Sequence, residues 1–110
     1  MPVYILHELV VPPGNLAAVR ALVDNEYVPN ARARGAQLEL MGTTPPIELD
    51  DDPTTLMMLW SVPDAASVWA MKRQGDPAEL LELWAKIDAL LVGRSRRFVQ
   101  PIVQPLEAAR

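Results

Sequence analysis

The 110-residue sequence contains no cysteine and only one histidine, His7. Without cysteine the chain has no disulfide, no thiol nucleophile and no thiolate ligand for a metal. One imidazole is too few for the usual zinc sites, so we expect no metal centre. No window approaches the roughly 18 consecutive apolar residues of a membrane span, and the N-terminus lacks a basic-then-apolar signal. We therefore expect a soluble, cytoplasmic protein that does not bind membranes.

Basic residues are also scarce, at 10 Lys and Arg against 14 Asp and Glu, which gives a net charge of −4. Nucleic-acid binding needs a basic patch, and the one cluster of arginines, Arg94, Arg96 and Arg97, fits a solvated sheet edge better. No phosphate-binding loop, dinucleotide fingerprint or Gly-x-Ser-x-Gly elbow is present, which argues against kinases, dehydrogenases and esterases. The length and the 50% hydrophobic content predict one globular domain over residues 1–110, with an irregular tail from about residue 103.

The remaining sequence is organised around an apolar stretch from Val3 to Val11, rich in β-branched residues and closed by two prolines and a glycine. This composition predicts a strand. Alternation places Ile5, His7 and Leu9 on one face. Because the opposite face is also mainly apolar, we predict a central strand that is covered on both sides.

Hydrophobic periodicity and helix-capping residues predict the elements that follow. A strand over 54–62 matches the first in apolar character, and the strand over 36–43 has Leu38 and Leu40 on one face. Three helices are predicted. The first is capped by Asn15, kinked or interrupted at Pro29 and ended by Gly35. The second is short, runs from Asp64 to about Arg73 and has Val68, Trp69 and Met71 on its buried side. The third is capped by Asp76, and its apolar stripe consists of Leu80, Leu83, Trp84, Ile87 and Leu91. An edge strand over 96–102, broken by Pro101, completes the predicted elements.

This order of elements is typical of two split βαβ units. It predicts an α+β, ferredoxin-like fold, in which a four-stranded antiparallel sheet in the order 4-1-3-2 carries helices on one face. A chain of 110 residues has no further helices for the second face. We therefore expect a homodimer that joins through the sheet face.

Several short motifs, in this order and at this spacing, resemble the NIPSNAP-like branch of the dimeric α+β barrel superfamily over residues 3–102. They are Pro13-Gly14, Gly35, Leu59-Trp60, Asp76-Pro77 and Arg97-Phe98-Val99-Gln100-Pro101. The resemblance implies subunits that dimerise through their sheets. In several relatives it implies cofactor-free monooxygenase, cyclase or isomerase activity, or haem degradation, and so a setting in secondary metabolism. The first strand departs from the family: an acidic residue, an arginine and a tyrosine are replaced by Ile5, His7 and Leu9.

The resemblance also implies a pocket between the sheet and its helices. If the face of His7 lines this pocket, the lining residues should be Ile5, Leu9, Tyr27, Met58, Trp60 and Phe98. An imidazole titrates near neutral pH, and an apolar pocket favours its neutral form, so His7 is the candidate catalytic acid or base. Tyr27 is a candidate second polar group, although its hydroxyl could equally reach the surface. If the faces are reversed, Tyr4 and Glu8 become the candidates.

Three functional hypotheses follow from these residues. The first is a cofactor-independent enzyme of the cyclase, isomerase or monooxygenase type. Such an enzyme would apply acid/base chemistry to a hydrophobic carbonyl-bearing or aromatic small molecule. The alternative is a non-catalytic dimer that binds a hydrophobic ligand or a protein, with His7 as a hydrogen-bonded core residue. A haem protein with His7 as axial ligand is the third.

Overall fold

Four antiparallel strands form an open sheet in the computed structural model, which describes residues 1–102. The strands are β1 (Val3–Val11), β2 (Gln37–Thr44), β3 (Thr54–Val62) and β4 (Gly93–Val99). Their order across the sheet is β2-β3-β1-β4, so the two most apolar strands are central. This confirms the predicted ferredoxin-like α+β fold and its strand order. The tail predicted to be irregular lies outside the described residues.

The helices are α1 (Leu16–Leu22), α2 (Val28–Ala33), α3 (Ala65–Gln74) and α4 (Ala78–Asp88). A π-helical turn over Val23–Tyr27 joins α1 to α2. Within residues 1–102, no helix combines the length and the apolar character that crossing a membrane requires.

The irregularity predicted at Pro29 takes the form of the π-helical turn and not of a break, because the helical backbone runs on through α2. The π-helical turn accommodates the proline. There the Val28 N–H bonds to the Val23 carbonyl, five residues back, just before the ring. Pro29 then falls in the first turn of α2, where a missing N–H is tolerated.

Two of the predicted helix caps also differ in the structure. Asn15 precedes α1, but its side chain donates to the Leu90 carbonyl at 3.0 Å instead of capping the helix. Pro77, not Asp76, holds the capping position of α4, so the Asp76 carboxylate is left for other contacts. The predicted cap of α3 is confirmed, since Asp64 accepts from a backbone N–H three residues on at 2.9 Å.

One face of the sheet is buried and the other is only half-buried. Burial alternates strictly along β1 and β3, and β1 buries Ile5, His7 and Leu9 together. On β2, the expectation that Leu38 and Leu40 share a face is wrong. Leu38 lies opposite Trp60 but Leu40 lies opposite Leu59, because a register shift at Glu39 reverses the alternation.

The two remaining departures concern the edge strand and α3. β4 begins three residues earlier than predicted and ends at Val99, before Pro101, and it pairs only with β1 as an edge strand. Trp69, predicted on the buried side of α3, is 60% exposed, whereas Val68 next to it is buried. Which side of so short a helix is buried depends on how the helix packs on the sheet. Val68 and Trp69 are adjacent apolar residues, so the sequence does not determine which of the two faces the sheet.

Candidate functional site

A partly open cavity of about 310 Å³ lies on the helix face of the sheet. Its wall includes five of the residues expected there: Ile5, His7, Tyr27, Trp60 and Phe98. Leu9 and Met58, which were expected to join them, share the face of His7 but are not part of the wall. Both are fully buried in the hydrophobic core, where neighbouring side chains cover them.

The polar centre of the cavity is a pair formed by His7 and Tyr27. His7 lies mid-strand on β1, between Met58 of β3 and Arg96 of β4, and is 4% exposed. Tyr27 is the last residue of the π-helical turn and is 5% exposed. Its hydroxyl oxygen lies 3.3 Å from Nε2 of His7, within hydrogen-bond distance. The hydroxyl therefore points into the site and not to the surface.

Two tryptophans complete an aromatic cluster around this pair. The Trp84 ring of α4 stacks on His7 with ring centres 5.6 Å apart and an angle of 17° between the planes. Trp60 meets Tyr27 edge-on at 5.9 Å. The guanidinium of Arg94 also lies over the Trp84 ring, 4.2 Å from its centre. Because both rings of the polar pair are packed by neighbours, their orientation is fixed by the fold.

The surroundings keep both members of the pair uncharged at neutral pH. Burial, with a smaller contribution from the positive charges of Arg96, Arg94 and Arg34, lowers the pKa of His7 to about 4. Burial raises the pKa of Tyr27, against a smaller opposing effect of Arg34. The site thus contains a neutral imidazole with a free lone pair and a protonated phenol.

Two buried nitrogen atoms of the cavity wall have no hydrogen-bond partner within residues 1–102. They are Nδ1 of His7 and Nε1 of Trp60. Leaving a buried polar atom unpartnered costs about 1–3 kcal/mol. Both nitrogens are shielded from solvent, so a ligand satisfies them only where a neighbouring side chain moves aside.

Charged residues of the cavity wall are the part of the site that sequence analysis missed. Arg34, Lys72, Asp76 and Arg96 all line the cavity. Arg34 is held at the end of α2 because Gly35 adopts φ +96° and lets the next N–H bond back to the Ala31 carbonyl at 3.1 Å.

Local structure also places the other two cations of the cavity wall, Lys72 and Arg96. Lys72 lies in the last turn of α3, which ends at Gly75. Arg96 is directly opposite His7 on the neighbouring strand. That pairing would have been predicted from the sequence had the last strand been started three residues earlier. No group of three His, Asp or Glu side chains in the described part of the chain is arranged to hold a metal ion.

Comparison with solved structures identifies the class of fold. A NIPSNAP family protein from Agrobacterium tumefaciens superposes with a TM-score of 0.71 at 14% identity, covering 96% of this chain and 99% of that one. A NIPSNAP domain protein from Burkholderia xenovorans gives 0.68 at 17% identity with the same coverage. A Bordetella bronchiseptica protein, provisionally named an antibiotic biosynthesis monooxygenase, gives 0.60 at 18% identity, with 93% and 98% covered.

The chain therefore has the fold of NIPSNAP and dimeric α+β barrel proteins, as the sequence motifs predicted. At identities of 14–18% the likeness establishes the fold alone. No family model matches the sequence, and no curated protein matches it. The function has to be argued from the cavity.

Proposed function

We propose that the protein is a cofactor-independent enzyme that moves a proton on a small hydrophobic molecule bearing a carbonyl group or an aromatic ring. The observation that carries this proposal is the buried His7–Tyr27 pair in the wall of a cavity of about 310 Å³. Aromatic and aliphatic side chains share the cavity wall with a few convergent polar and charged groups, a combination that suits a small-molecule site. Cyclisation, isomerisation and oxygenation of such molecules all begin with removal of a proton beside a carbonyl or from a phenol.

The pair supplies a base and a hydrogen-bond donor together. When Nε2 of His7 carries the proton and donates it to the Tyr27 oxygen, Nδ1 keeps its lone pair and can accept a proton from the substrate. The Tyr27 hydroxyl hydrogen is then free to bond to the substrate oxygen, where negative charge develops as the proton leaves. Nδ1 has no partner among the described residues and is shielded from solvent, so the substrate has to displace a neighbouring side chain to reach it. The proton taken up at Nδ1 returns to the product, so no external oxidant is consumed in an isomerisation.

Deuterium exchange tests the proposal without knowledge of the natural substrate. The protein should speed incorporation of deuterium from D₂O next to the carbonyl of neutral aryl ketones such as α-tetralone and 2-acetylnaphthalene, followed by NMR. Removing a positioned acid or base typically costs about 10²–10⁴-fold in rate, so His7→Gln should fall to background and Tyr27→Phe should lose most of the acceleration.

Tyr4→Phe is the matched control. Tyr4 is the one other tyrosine of the sequence, and it lies on the face of β1 opposite to His7. This variant should exchange like the wild type. Circular dichroism verifies that each variant is folded. If folded His7→Gln retains full exchange, His7 is not the base and the proposed mechanism is wrong.

A non-catalytic ligand-binding protein is the second candidate. It is favoured by the stacking of His7 on Trp84 and by the low pKa of about 4, since a base so weak removes protons slowly. In that case the wild type would bind aryl ketones without exchanging their protons, and His7→Gln would bind them equally well.

We further propose that two copies pair through the sheet face that the helices leave open. Leu6, Met57 and Leu59 lie half-buried on this face, and Leu40 is 59% exposed beside them. A second sheet would bury these side chains, each aliphatic one contributing about 1.5–3 kcal/mol when fully covered. The match to proteins of the dimeric α+β barrel fold supports the same arrangement.

A further inference from the structure

We propose that the molecule held in the cavity carries a carboxylate, which Arg34, Lys72 and Arg96 bind. The inference rests on the proposed function, because it names the chemical class of the substrate for that same cavity. The sequence predicts a hydrophobic small molecule as substrate, and the present inference adds a carboxylate group to that molecule. Three independent features of the cavity wall support it: unbalanced charge, preorganised cations and the position of these cations relative to His7.

The three cations of the cavity wall have no carboxylate partner within residues 1–102. None of them takes part in the ion pairs of the described residues, which are Arg20–Asp24, Lys86–Glu26, Arg94–Asp88 and Arg97–Glu8. The wall contains a single acid, Asp76, so its positive charges outnumber its negative ones by three to one. The sequence as a whole is acidic, with a net charge of −4. A local excess of cations against that composition favours an anionic ligand.

The cations come from three separate elements and are held in place. Nε of Arg34 donates to the side chain of Asn30 at 2.8 Å, and a hydrogen bond to the Tyr27 hydroxyl also holds the guanidinium at the cavity. Lys72 and Arg96 both lie over the Phe98 ring, with Nζ at 4.5 Å and the guanidinium carbon at 5.1 Å from its centre. Cations restrained in this way lose less entropy on binding, and arginine bonds to carboxylates through two parallel hydrogen bonds.

A bound carboxylate would also improve the chemistry at His7. Arg96 and Arg34 contribute to the low pKa of the imidazole in the absence of a ligand. A carboxylate bound to these arginines offsets their field, so His7 gains proton affinity when the substrate arrives. General bases work best with a pKa nearer to the working pH. The same ion pairs would therefore select the substrate and activate the base.

The test compares 2-naphthoate with its neutral counterpart 2-naphthamide. Binding is measured by calorimetry and by the NMR resonances of the His7 ring, which are unambiguous because the sequence has one histidine. Naphthoate should bind at least about tenfold more tightly and should raise the pKa of His7, as expected for charge-assisted hydrogen bonds. Arg34→Gln and Arg96→Gln should each remove most of this preference, because they weaken naphthoate binding far more than naphthamide binding.

Arg32→Gln and Arg73→Gln are the matched controls. They remove the same charge from exposed residues next to Arg34 and Lys72 that do not line the cavity. Both controls should keep the preference for naphthoate. A preference that survives in Arg34→Gln, Lys72→Gln and Arg96→Gln would overturn the inference, because the anion would then be bound elsewhere.

The remaining outcomes separate this inference from the proposed function. Equal binding of the two compounds overturns the carboxylate alone, since exchange of neutral ketones tests the enzyme independently. If naphthoate is preferred but neither the neutral ketones nor a carboxylate-bearing aryl ketone such as 6-acetyl-2-naphthoate exchanges, the carboxylate site stands and the enzyme proposal is wrong. If neither compound perturbs His7, both the carboxylate and the hydrophobic site are overturned.

Discussion

At the scale of single residues, the burial of His7 is the most consequential feature. A histidine that is 4% exposed and stacked on Trp84 gives up the hydration that would stabilise its charged form. The charged groups that face it are Arg34 from α2 and Arg94 and Arg96 from β4, all cations, while Tyr27 is neutral. Every one of these effects opposes protonation, so the folded protein resists taking up a proton at this position.

The stability of the protein should therefore fall in acid. The pKa of His7 is about 4 in the folded chain and 6.5 for an unperturbed histidine, so the unfolded state binds more protons between these values. The free energy of unfolding should decrease as the pH falls from 6.5 to 4, by about 3 kcal/mol from this residue.

Urea unfolding of wild type and His7→Gln at pH 7.5 and pH 4, at one protein concentration, measures this contribution. The carboxylates titrate in both proteins, so their contributions to the pH dependence of the free energy of unfolding cancel when the two proteins are compared. The wild type should lose about 3 kcal/mol more than the variant between the two pH values. Equal losses would mean that His7 can be protonated without penalty in the folded state.

At the scale of elements, the sequence predicted best where one physical signal dominated. β1 and β3 are long, apolar and bounded by prolines, and both occur over the predicted residues. Two of the departures occur where the backbone adds a residue to a regular pattern, in the π-helical turn before Pro29 and in the bulge at Glu39 of β2. Neither leaves a periodicity in the sequence, because each is set by how the element packs on the sheet.

The candidate site was also predictable only in part from the sequence. His7 and its apolar neighbours follow from alternation along β1, whereas Arg34 and Lys72 come from helix ends whose direction depends on the glycine turns. Charges at helix ends are common on any surface. Only tertiary structure shows that these two meet Arg96 at one cavity.

Helix α4 allows a test of which face carries the stability. Ile87 is fully buried, whereas Leu81 on the same helix is 57% exposed. Ile87→Ala should lower the free energy of unfolding by about 2–5 kcal/mol, because it removes buried atoms and leaves a cavity. Leu81→Ala should change it by no more than about 0.5 kcal/mol, as is usual for exposed positions. Urea denaturation of the two variants measures the difference, and similar losses would contradict the helix orientation.

At the scale of the whole molecule, the sheet is covered by helices on one side only. Leu6 and Leu59 lie opposite each other at the centre of the open side. In the proposed dimer a charged residue there would lie in the contact between two sheets, where an unpaired charge is costly. The proposed pairing therefore depends on a few apolar residues of β1 and β3.

Size-exclusion chromatography with light scattering tests this arrangement. The wild type should have the mass of a dimer, and the double variant Leu6→Lys/Leu59→Lys should have the mass of a monomer. Ile47→Lys is the control, since Ile47 lies exposed in the loop between β2 and β3, and it should remain dimeric. A monomeric wild type would show that the open face is not a dimer interface.

The π-helical turn makes the length of the first helix part of the chemistry. Tyr27 ends this turn, which contains one more residue than a turn of α-helix would. Losing one residue between Val23 and Tyr27 would remove this added residue, and with it the local geometry that holds the phenol beside the imidazole. Homologous chains should therefore tolerate substitutions on the outer surface of this segment far more readily than a change in its residue count.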